Sequence, residues 1–459
     1  MTLSDNICHM VSGIGFDRLP RETVDVTKRS ILDTLGVIIA ASTLGEGSQE
    51  MVELAKSGGG KEESSIIGYG GKIPSWMAAF ANGSMTHPLD YDDTHDEAVV
   101  HPTAATLPAA LAVAESVRKR NGKDLITAIA LGNDLTVRLG LGTTENMSQH
   151  GWLGPQLFGN FGATVAAAKI LNLSEKQISN ALSFTLSQAA GTMEVSLGTG
   201  SVVRGVRDAF IGKTGVISAL MAHRGLSGNN SWLDGKAGLC NLYFRGNYNF
   251  DPLAKDLGKR FEGTYVSFKP WPSCRYTHPY LTALFRVVRE KGIQSADIES
   301  VTLVVGQQGK VLCVPEENRK KPQKQIEAKF SLPFTAGVAL NKGNVTLSDF
   351  TTESIQDPKV LAMAQKVGWR FDKERKSEGI EPGVIEVSVK GGEVFSQRVD
   401  FAYGHPRNPI SMDDLVTKFK ECCNYSRKPL SQGTVERVVD LITHLEKVEN
   451  IGQIVNLVS

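Results

Sequence analysis

The sequence predicts a mainly α protein, a multi-helical large domain with a smaller α+β domain, and three observations carry that prediction. Its 459 residues are more than one hydrophobic core commonly organises, so two domains are expected. The first half repeats apolar and small residues at helical spacing. Near residue 263 the pattern turns to β-branched residues punctuated by glycine turns. Residues 1–262, completed by 403–459, are assigned to the helical domain and 263–402 to the α+β domain.

The elements follow in order. RETVDVTKRSILDTLGVIIAAS (21–42) places apolar residues on a helical face and ends in small residues. TAATLPAALAVAESVRKRNGKDLITAIALGNDLTVRLGLG (103–142) reads as two helices parted by Asn121-Gly122. In FGATVAAAKILNLSEKQISNALSFTLSQAAG (161–191) a loop near Asn172 precedes Ser174, which has Gln177 at capping-box spacing. Alanine and glycine on these faces allow helices to approach closely. IESVTLVVG (298–306), GVIEVSVKGGEVFSQRVDFAYG (383–404) and the approach to Lys269 read as β structure, with a turn at Gly391-Gly392. THPYLTALFRVVREKG (277–292) and KVLAMAQKVGWRF (359–371) read as helices between them. NRKKPQKQ (318–325) reads as an exposed loop. MDDLVTKFKECCNYS (412–426) and QGTVERVVDLITHLEKV (432–448) return to helix and are expected to pack on the first domain.

Composition removes several function classes. A formal net charge of +1 gives no global field to recruit nucleic acid or an anionic membrane, so an acidic substrate needs a local basic pocket. The first residues lack a basic region followed by an apolar core and do not read as a secretory signal. No apolar run is long enough to span a bilayer. Six cysteines (Cys8, Cys240, Cys274, Cys313, Cys422, Cys423) without CxxC spacing point to a reduced, cytoplasmic chain rather than a disulfide or zinc framework.

The chemistry concentrates in HPLDYDDTHDEAVVHPTAATLPAALAVAE (87–115), where acids and histidines lie between two apolar segments. Asp90, Asp92, Asp93, His95, Asp96 and His101 could ligate a metal, but the spacing matches neither HExxH nor an EF-hand loop. The bland alternative is a solvated acidic loop. Against it, His101-Pro102 directly precedes a helix, and loops held by a rigid scaffold are where chemistry gathers. No phosphate-binding glycine loop or nucleotide fingerprint is present, so no cofactor is expected.

These residues resemble the signature of the MmgE/PrpD family: Leu89-Asp90-Tyr91-Asp92-Asp93-Thr94, then His101-Pro102-Thr103. GWLGPQLFGNFGATVAAAKIL (151–171), FKPWPSCRYTHP (268–279), IEAKFSLPF (326–334) and the closing MDDLVTKFKECC are similar to further family segments in the same order. The resemblance implies a large helical domain, a smaller α+β domain, a homodimer, and cofactor-free proton transfer next to a carboxylate. Members include 2-methylcitrate dehydratase, cis-aconitate decarboxylase and iminodisuccinate epimerase.

Carried over residue by residue, Asp90, Thr94 and His101 match the family's active-site loop, and Lys269 its lysine at the domain boundary. An imidazole titrates near neutrality and suits proton transfer, and an Asp within reach would orient it. Lys269 would stabilise the charge that builds up beside the carboxylate; its bland reading is a lysine lying over Trp271. His278 would orient Lys269 or cap the helix that follows. Cys274 reads as a packed thiol.

The chain departs from the family at two places. Where many members read GWHPT, this chain has GWLGP, with Leu153 at the histidine position and His150 just before the pair. Where many carry K-x-x-H, GSVVRGVRDAFIGKTG (200–215) has Arg204 and Arg207, with Lys213 following. Arginine cannot exchange protons near neutrality but grips a carboxylate with a fork of donors. Arg204, Arg207, His150, Lys213 and His278 are therefore candidates for binding a small carboxylate, and no residue is assigned to a metal. The leading expectation is a lyase acting on a di- or tricarboxylate by dehydration or decarboxylation. An epimerase or isomerase, a non-catalytic relative and a metal-dependent hydrolase are the alternatives.

Overall fold

Glycine and alanine set the spacing of the helical part. A computed structural model describes residues 2–117, 120–197, 201–375 and 379–459. The chain forms two units: Met1–Pro88, Asp92–Val266 and Ser411–Ser459 in one, Leu89–Tyr91 and Ser267–Ile410 in the other.

The first unit is built on helices α1 (Arg21–Leu44), α2 (Ser75–Gly83), α3 (Pro102–Ser116), α4 (Gly122–Leu141), α5 (Gly154–Ile170), α6 (Glu175–Leu186) and α7 (Asp208–His223). Helix α5 packs against α3, α4 and α7, and α7 also packs against α2. Thirteen of the fifteen residues of α3 are buried, so this helix is apolar all round and lies inside the bundle. Pro102 occupies its first turn, where its missing N–H costs nothing. Asn121 is the N-cap of α4, in a capping box with Asp124. The α5–α6 turn has Asn172 at φ 54, and Ser174 and Gln177 close the expected capping box.

Where α4 crosses α5 there is no room for a side chain. A Cβ on Gly132 would lie 2.6 Å from the Gly162 carbonyl oxygen and 2.8 Å from Thr106 Cγ2. Beside this crossing, Arg138 and Asp134 form a buried pair at 2.8 Å. Arg138 also donates to the carbonyls of Lys255 and Arg260, and Asp134 accepts from the Glu262 N–H, which ties residues 252–262 to α4. Burial pushes the Asp134 carboxyl up to about 6, against the pull of Arg138. The C-terminal helices, α11 (Met412–Cys423) and α12 (Gln432–Thr443) once those of the second unit are counted, return to this unit. Lys418 meets Asp33 of α1 at 2.6 Å in a buried pair.

The second unit is α+β. Its strands are β3 (Ile298–Val305), β4 (Val367–Phe371), β5 (Gly383–Val389) and β6 (Val394–Val399), after the two-residue β1 (Ser64–Ser65) and β2 (Lys72–Ile73) of the first unit. The sheet order is β4-β3-β5-β6, with β3 and β4 parallel and the other neighbours antiparallel. Strand β5 alternates buried and half-buried residues. Helix α8 (His278–Lys291) packs on β5 and β6, and α9 (Leu332–Lys342) packs on α10 (Pro358–Gln365).

Three local expectations need correction. The segment 359–371 is a helix only to Gln365; its β-branched and aromatic end pairs with β3 as strand β4. The approach to Lys269 is not a strand, although the Phe268 N–H donates to the Gly404 carbonyl. Within 318–325, residues up to Lys320 are helical, because Arg319 folds back onto the carbonyls of Val314 and Phe330. The second unit also differs from residues 263–402. It runs from Ser267 to Ile410, held in part by the Tyr403 N–H on Thr282 Oγ1, and it includes Leu89–Tyr91.

Opposite outcomes are expected for one type of substitution at two glycines. Gly132→Ala gains about 1 kcal/mol of helix propensity, but overpacking against backbone costs about 1–3 kcal/mol, so the variant should melt below wild type. Gly433→Ala, in α12 with nothing within 4 Å of the added Cβ, should melt at or above it. Thermal unfolding of both variants checks this, and a Gly132→Ala protein as stable as wild type would remove the close crossing.

Candidate active site

The loop from His87 to His101 is fixed at both ends by the helices it joins. His101 is the N-cap of α3. The Thr103 N–H and hydroxyl donate to the Asp93 carboxyl at 3.3 and 2.5 Å, Asn133 of α4 donates to Thr103 Oγ1 at 2.8 Å, and Thr106 donates to Asn133 at 2.6 Å. Within the loop, the His95 N–H donates to the Val100 carbonyl, and the Ala98 N–H to His95 Nδ1. Val99 takes φ +51, a left-handed conformation that a β-branched side chain rarely adopts. Such strain persists only where the surroundings impose it.

The loop gathers two histidines on one carboxylate. His87 Nδ1 lies 2.9 and 3.0 Å from the two oxygens of Asp92, and His101 Nδ1 lies 3.0 Å from Asp92 Oδ2. His101 Nδ1 is also 2.9 Å from the Asp93 carbonyl and 3.3 Å from Thr94 Oγ1. A carboxylate and a carbonyl only accept, so both imidazoles carry their hydrogen on Nδ1 and donate it. The rings touch edge to face, 4.6 Å between centroids. His87 and Asp92 are fully enclosed, while the His101 side chain keeps 13% of its surface exposed. His101 is the member of this group that can meet a solute.

Burial, with the Arg207 cation adding to it, pushes the His87 imidazole down to about 3. Burial opposes the charge on Asp92, yet the two imidazoles hold its carboxyl well below the usual range. Burial raises the Asp93 carboxyl to about 7, despite its bonds to Thr103, so it retains a proton close to neutrality. Asp208 rises to about 6 by burial, held back by Arg207.

The expected binding residues divide. Arg207 is buried, with Nε 3.7 Å from Asp208 Oδ2 and a donated bond to the Arg204 carbonyl at 3.0 Å. Arg204 is half-buried. Lys213 lies over the rings of Phe80 and Phe210, and His150 is exposed and paired with Glu145 at 2.8 Å. Leu153 is the N-cap position of α5. The sequence reading named Asp92 only as a possible metal ligand and missed His87 as its partner; the His87-to-Asp92 spacing was the available signal.

In the second unit, Lys269 is completely buried and donates to the Asp90 carboxylate at 2.6 Å and to the Asp90 carbonyl at 2.9 Å. Asp90 takes φ +53 to present both oxygens. His278 is the first residue of α8, with Nε2 3.3 Å from the Ser273 carbonyl, and its ring packs at 5.4 Å from Trp271. Burial, then Arg275 and Lys269, hold its imidazole well below the ordinary range. Asp90 is thus the partner of Lys269, and the carboxylate that orients His101 is Asp92.

His87, Asp92 and His101 are also a group of metal-ligand type, their candidate atoms within 4.8 Å of one another. Both Nδ1 atoms face the carboxylate, which leaves the two Nε2 atoms as the imidazole nitrogens not bonded to it. Among the described residues, all six cysteines are free and buried, and no helix is long and apolar enough to cross a membrane.

Comparison with known proteins gives the family. The MmgE/PrpD N-terminal domain matches residues 5–251 and the MmgE/PrpD C-terminal domain residues 271–445. Cis-aconitate decarboxylase of Homo sapiens is 28% identical over 467 residues, covering 99% of this chain and 94% of the relative. The Mus musculus enzyme is 28% identical, covering 99% and 93%, and the Aspergillus terreus enzyme 22%, covering 100% and 96%. With both domains matched across nearly its whole length, the chain belongs to the MmgE/PrpD family.

Proposed function

We propose that the protein decarboxylates a small tricarboxylate of the cis-aconitate type and delivers one proton through His101. Its relatives are carbon–carbon lyases of the MmgE/PrpD type, named for cis-aconitate. Such a substrate carries three carboxylates on a propene skeleton. Breaking the C–C bond of the saturated arm releases CO2 and leaves an electron pair spread over the allyl system and onto the conjugated carboxylate. One proton added at the far allylic carbon completes the reaction. The chemistry needs a cation beside the developing charge and a single proton donor.

The observation that carries this reading is the Asp92-held His101. Its Nδ1–H is fixed, and Nε2 is the nitrogen left for exchange with a ligand. Thr94 belongs to the same hydrogen-bonded group, and Lys269, held by Asp90, is proposed as a catalytic residue on the family resemblance alone. Arg204 remains a candidate for gripping an outer carboxylate. Leu153 and Arg207, at the positions where many family members carry a histidine, cannot exchange protons near neutrality, which favours a reaction that needs a single proton donor. No metal or organic cofactor is proposed. The buried free cysteines support a reducing, cytoplasmic setting, and family resemblance supports a homodimer.

Incubation with cis-aconitate should release CO2 and form an unsaturated dicarboxylate. His101→Gln should lower kcat/KM by about 10²–10⁴-fold, the usual loss when general acid–base catalysis is removed. Asp92→Asn should fall nearly as far while the fold is retained. A Gln variant within a few-fold of wild type would demote His101 to a structural N-cap, and the absence of turnover across a panel of polycarboxylates would favour a non-catalytic relative.

Dialysis against a strong chelator should leave the rate unchanged. Loss of activity restored by a divalent ion would turn His87, Asp92 and His101 from an acid–base group into a metal site.

A further inference from the structure

We propose that His87 is a positioning residue: its Nδ1–H and its ring together fix where Asp92 and the His101 imidazole lie, and so aim His101 Nε2 at the substrate. The inference rests on the proton-delivery reading above and deepens it, by naming the group that sets the direction of delivery.

The need for such a group is visible at His101. Its Nδ1 has three acceptors within reach: Asp92 Oδ2 at 3.0 Å, the Asp93 carbonyl at 2.9 Å and Thr94 Oγ1 at 3.3 Å. One N–H facing three oxygens leaves the ring free to tilt among them, unless an oxygen is held and the ring plane is blocked. The Asp93 carbonyl is fixed by the backbone, whereas the Asp92 carboxylate turns about its own side-chain bonds, the last of which is a soft torsion. The position of the His101 ring therefore depends on what holds Asp92.

His87 meets both conditions. Its Nδ1 lies 2.9 and 3.0 Å from the two Asp92 oxygens, nearly midway between them, so rotating the carboxylate either way draws one oxygen off the donor. Its ring meets that of His101 edge to face, with centroids 4.6 Å apart and planes at 62°. The His87 and Asp92 side chains have no exposed surface, whereas His101 has some. His87 thus cannot touch a solute and acts only through its two neighbours.

The far nitrogen of His87 separates this task from ordinary packing. Nε2 is buried, and it has no hydrogen-bond partner among the described residues. A buried polar atom without a partner lowers stability, and an apolar side chain of similar size would avoid that loss. With no acceptor at Nε2, His87 is not a link in a proton relay either. What the imidazole supplies is one donor on a flat ring, a combination that neither an amide nor a phenyl group provides.

Two substitutions separate these features. His87→Asn keeps an N–H close to the Nδ1 position and loses the ring, and His87→Phe keeps a ring and loses the donor. Histidine-selective ¹⁵N NMR reads which nitrogen carries the hydrogen, with the two signals identified by their loss in His87→Asn and His101→Gln. In wild type at pH 8, where an ordinary imidazole is neutral, both rings should carry hydrogen on Nδ1. His101 should keep that form in His87→Asn and become a mixture of tautomers in His87→Phe. On cis-aconitate, His87→Phe should lose about 10²-fold in kcat, the loss that a displacement of about 1 Å can cause, and His87→Asn should regain about tenfold of it. KM should stay within a few-fold in both. A wild-type His87 with its hydrogen on Nε2 alone overturns the proposal even if neither variant folds, because that tautomer cannot donate to Asp92. An unchanged His101 tautomer and kcat in His87→Phe overturn it as well, and so does an equal loss of kcat in both variants. The NMR arm needs no substrate, so a failure of the decarboxylase reading would be seen separately, as absence of turnover with the tautomer results intact.

Discussion

The Asp92 carboxylate is buried away from water, and its charge is supported by two imidazoles. Burying an ion costs several kcal/mol unless its oxygens find donors, and two N–H···O bonds near 3 Å supply them. Much of the surrounding structure follows from this requirement. His87 and His101 must arrive at the same carboxylate from opposite ends of a loop of fifteen residues. The loop turns back through the His95–Val100 pairing, and Val99 accepts a left-handed backbone to make that possible. Strain of this kind costs about 1–3 kcal/mol, which a fully bonded buried carboxylate can offset.

Precision at His101 depends on packing some distance from it. The Asp93–Thr103–Asn133–Thr106 chain of hydrogen bonds links the loop to α3 and α4. Asn133 reaches Thr103 because the small faces of these helices let them lie close, and its neighbour Gly132 leaves no space at the crossing. A single methyl there would press α4 away from α5, and reacting groups displaced by about 1 Å can lose two orders of magnitude in rate. Glycine in mid-helix, weak by propensity, is retained for the approach it allows.

These relations also explain how much was legible in the sequence. The helices, their caps and most of the sheet were readable because apolar periodicity and capping residues act locally, as at Ser174 and Gln177. Strand β4 was not, since VGWRF takes its β form from pairing with β3 far away in sequence. The acidic–histidine loop stood out by its density of titratable residues, and Thr94 and His101 are found in its hydrogen-bonded group. Which acid meets the histidine was hidden. Side-chain direction in the run Asp90, Asp92, Asp93 depends on backbone angles, and Asp90 at φ +53 breaks any simple alternation. Asp90 consequently bonds Lys269, Asp92 bonds both histidines and Asp93 bonds Thr103. Exposure was equally invisible: Lys213 and His150 share a residue type with the buried groups but lie over phenylalanine rings or beside a surface glutamate.

The Lys269–Asp90 pair sets a condition on any reaction that uses this lysine. At 2.6 Å, with the Asp90 carbonyl as a second acceptor, the ammonium is already largely neutralised. It stabilises a new negative charge strongly only in so far as that charge exceeds what Asp90 supplies. A ground-state carboxylate on the substrate competes with Asp90 on nearly equal terms and gains little. A charge that develops only in a transition state is one that Asp90 does not match, so the benefit of such a lysine falls mainly there, which is where it raises a rate. The left-handed backbone of Asp90 turns both its carbonyl and its carboxylate onto one ammonium, so that one residue fixes the position of a buried cation.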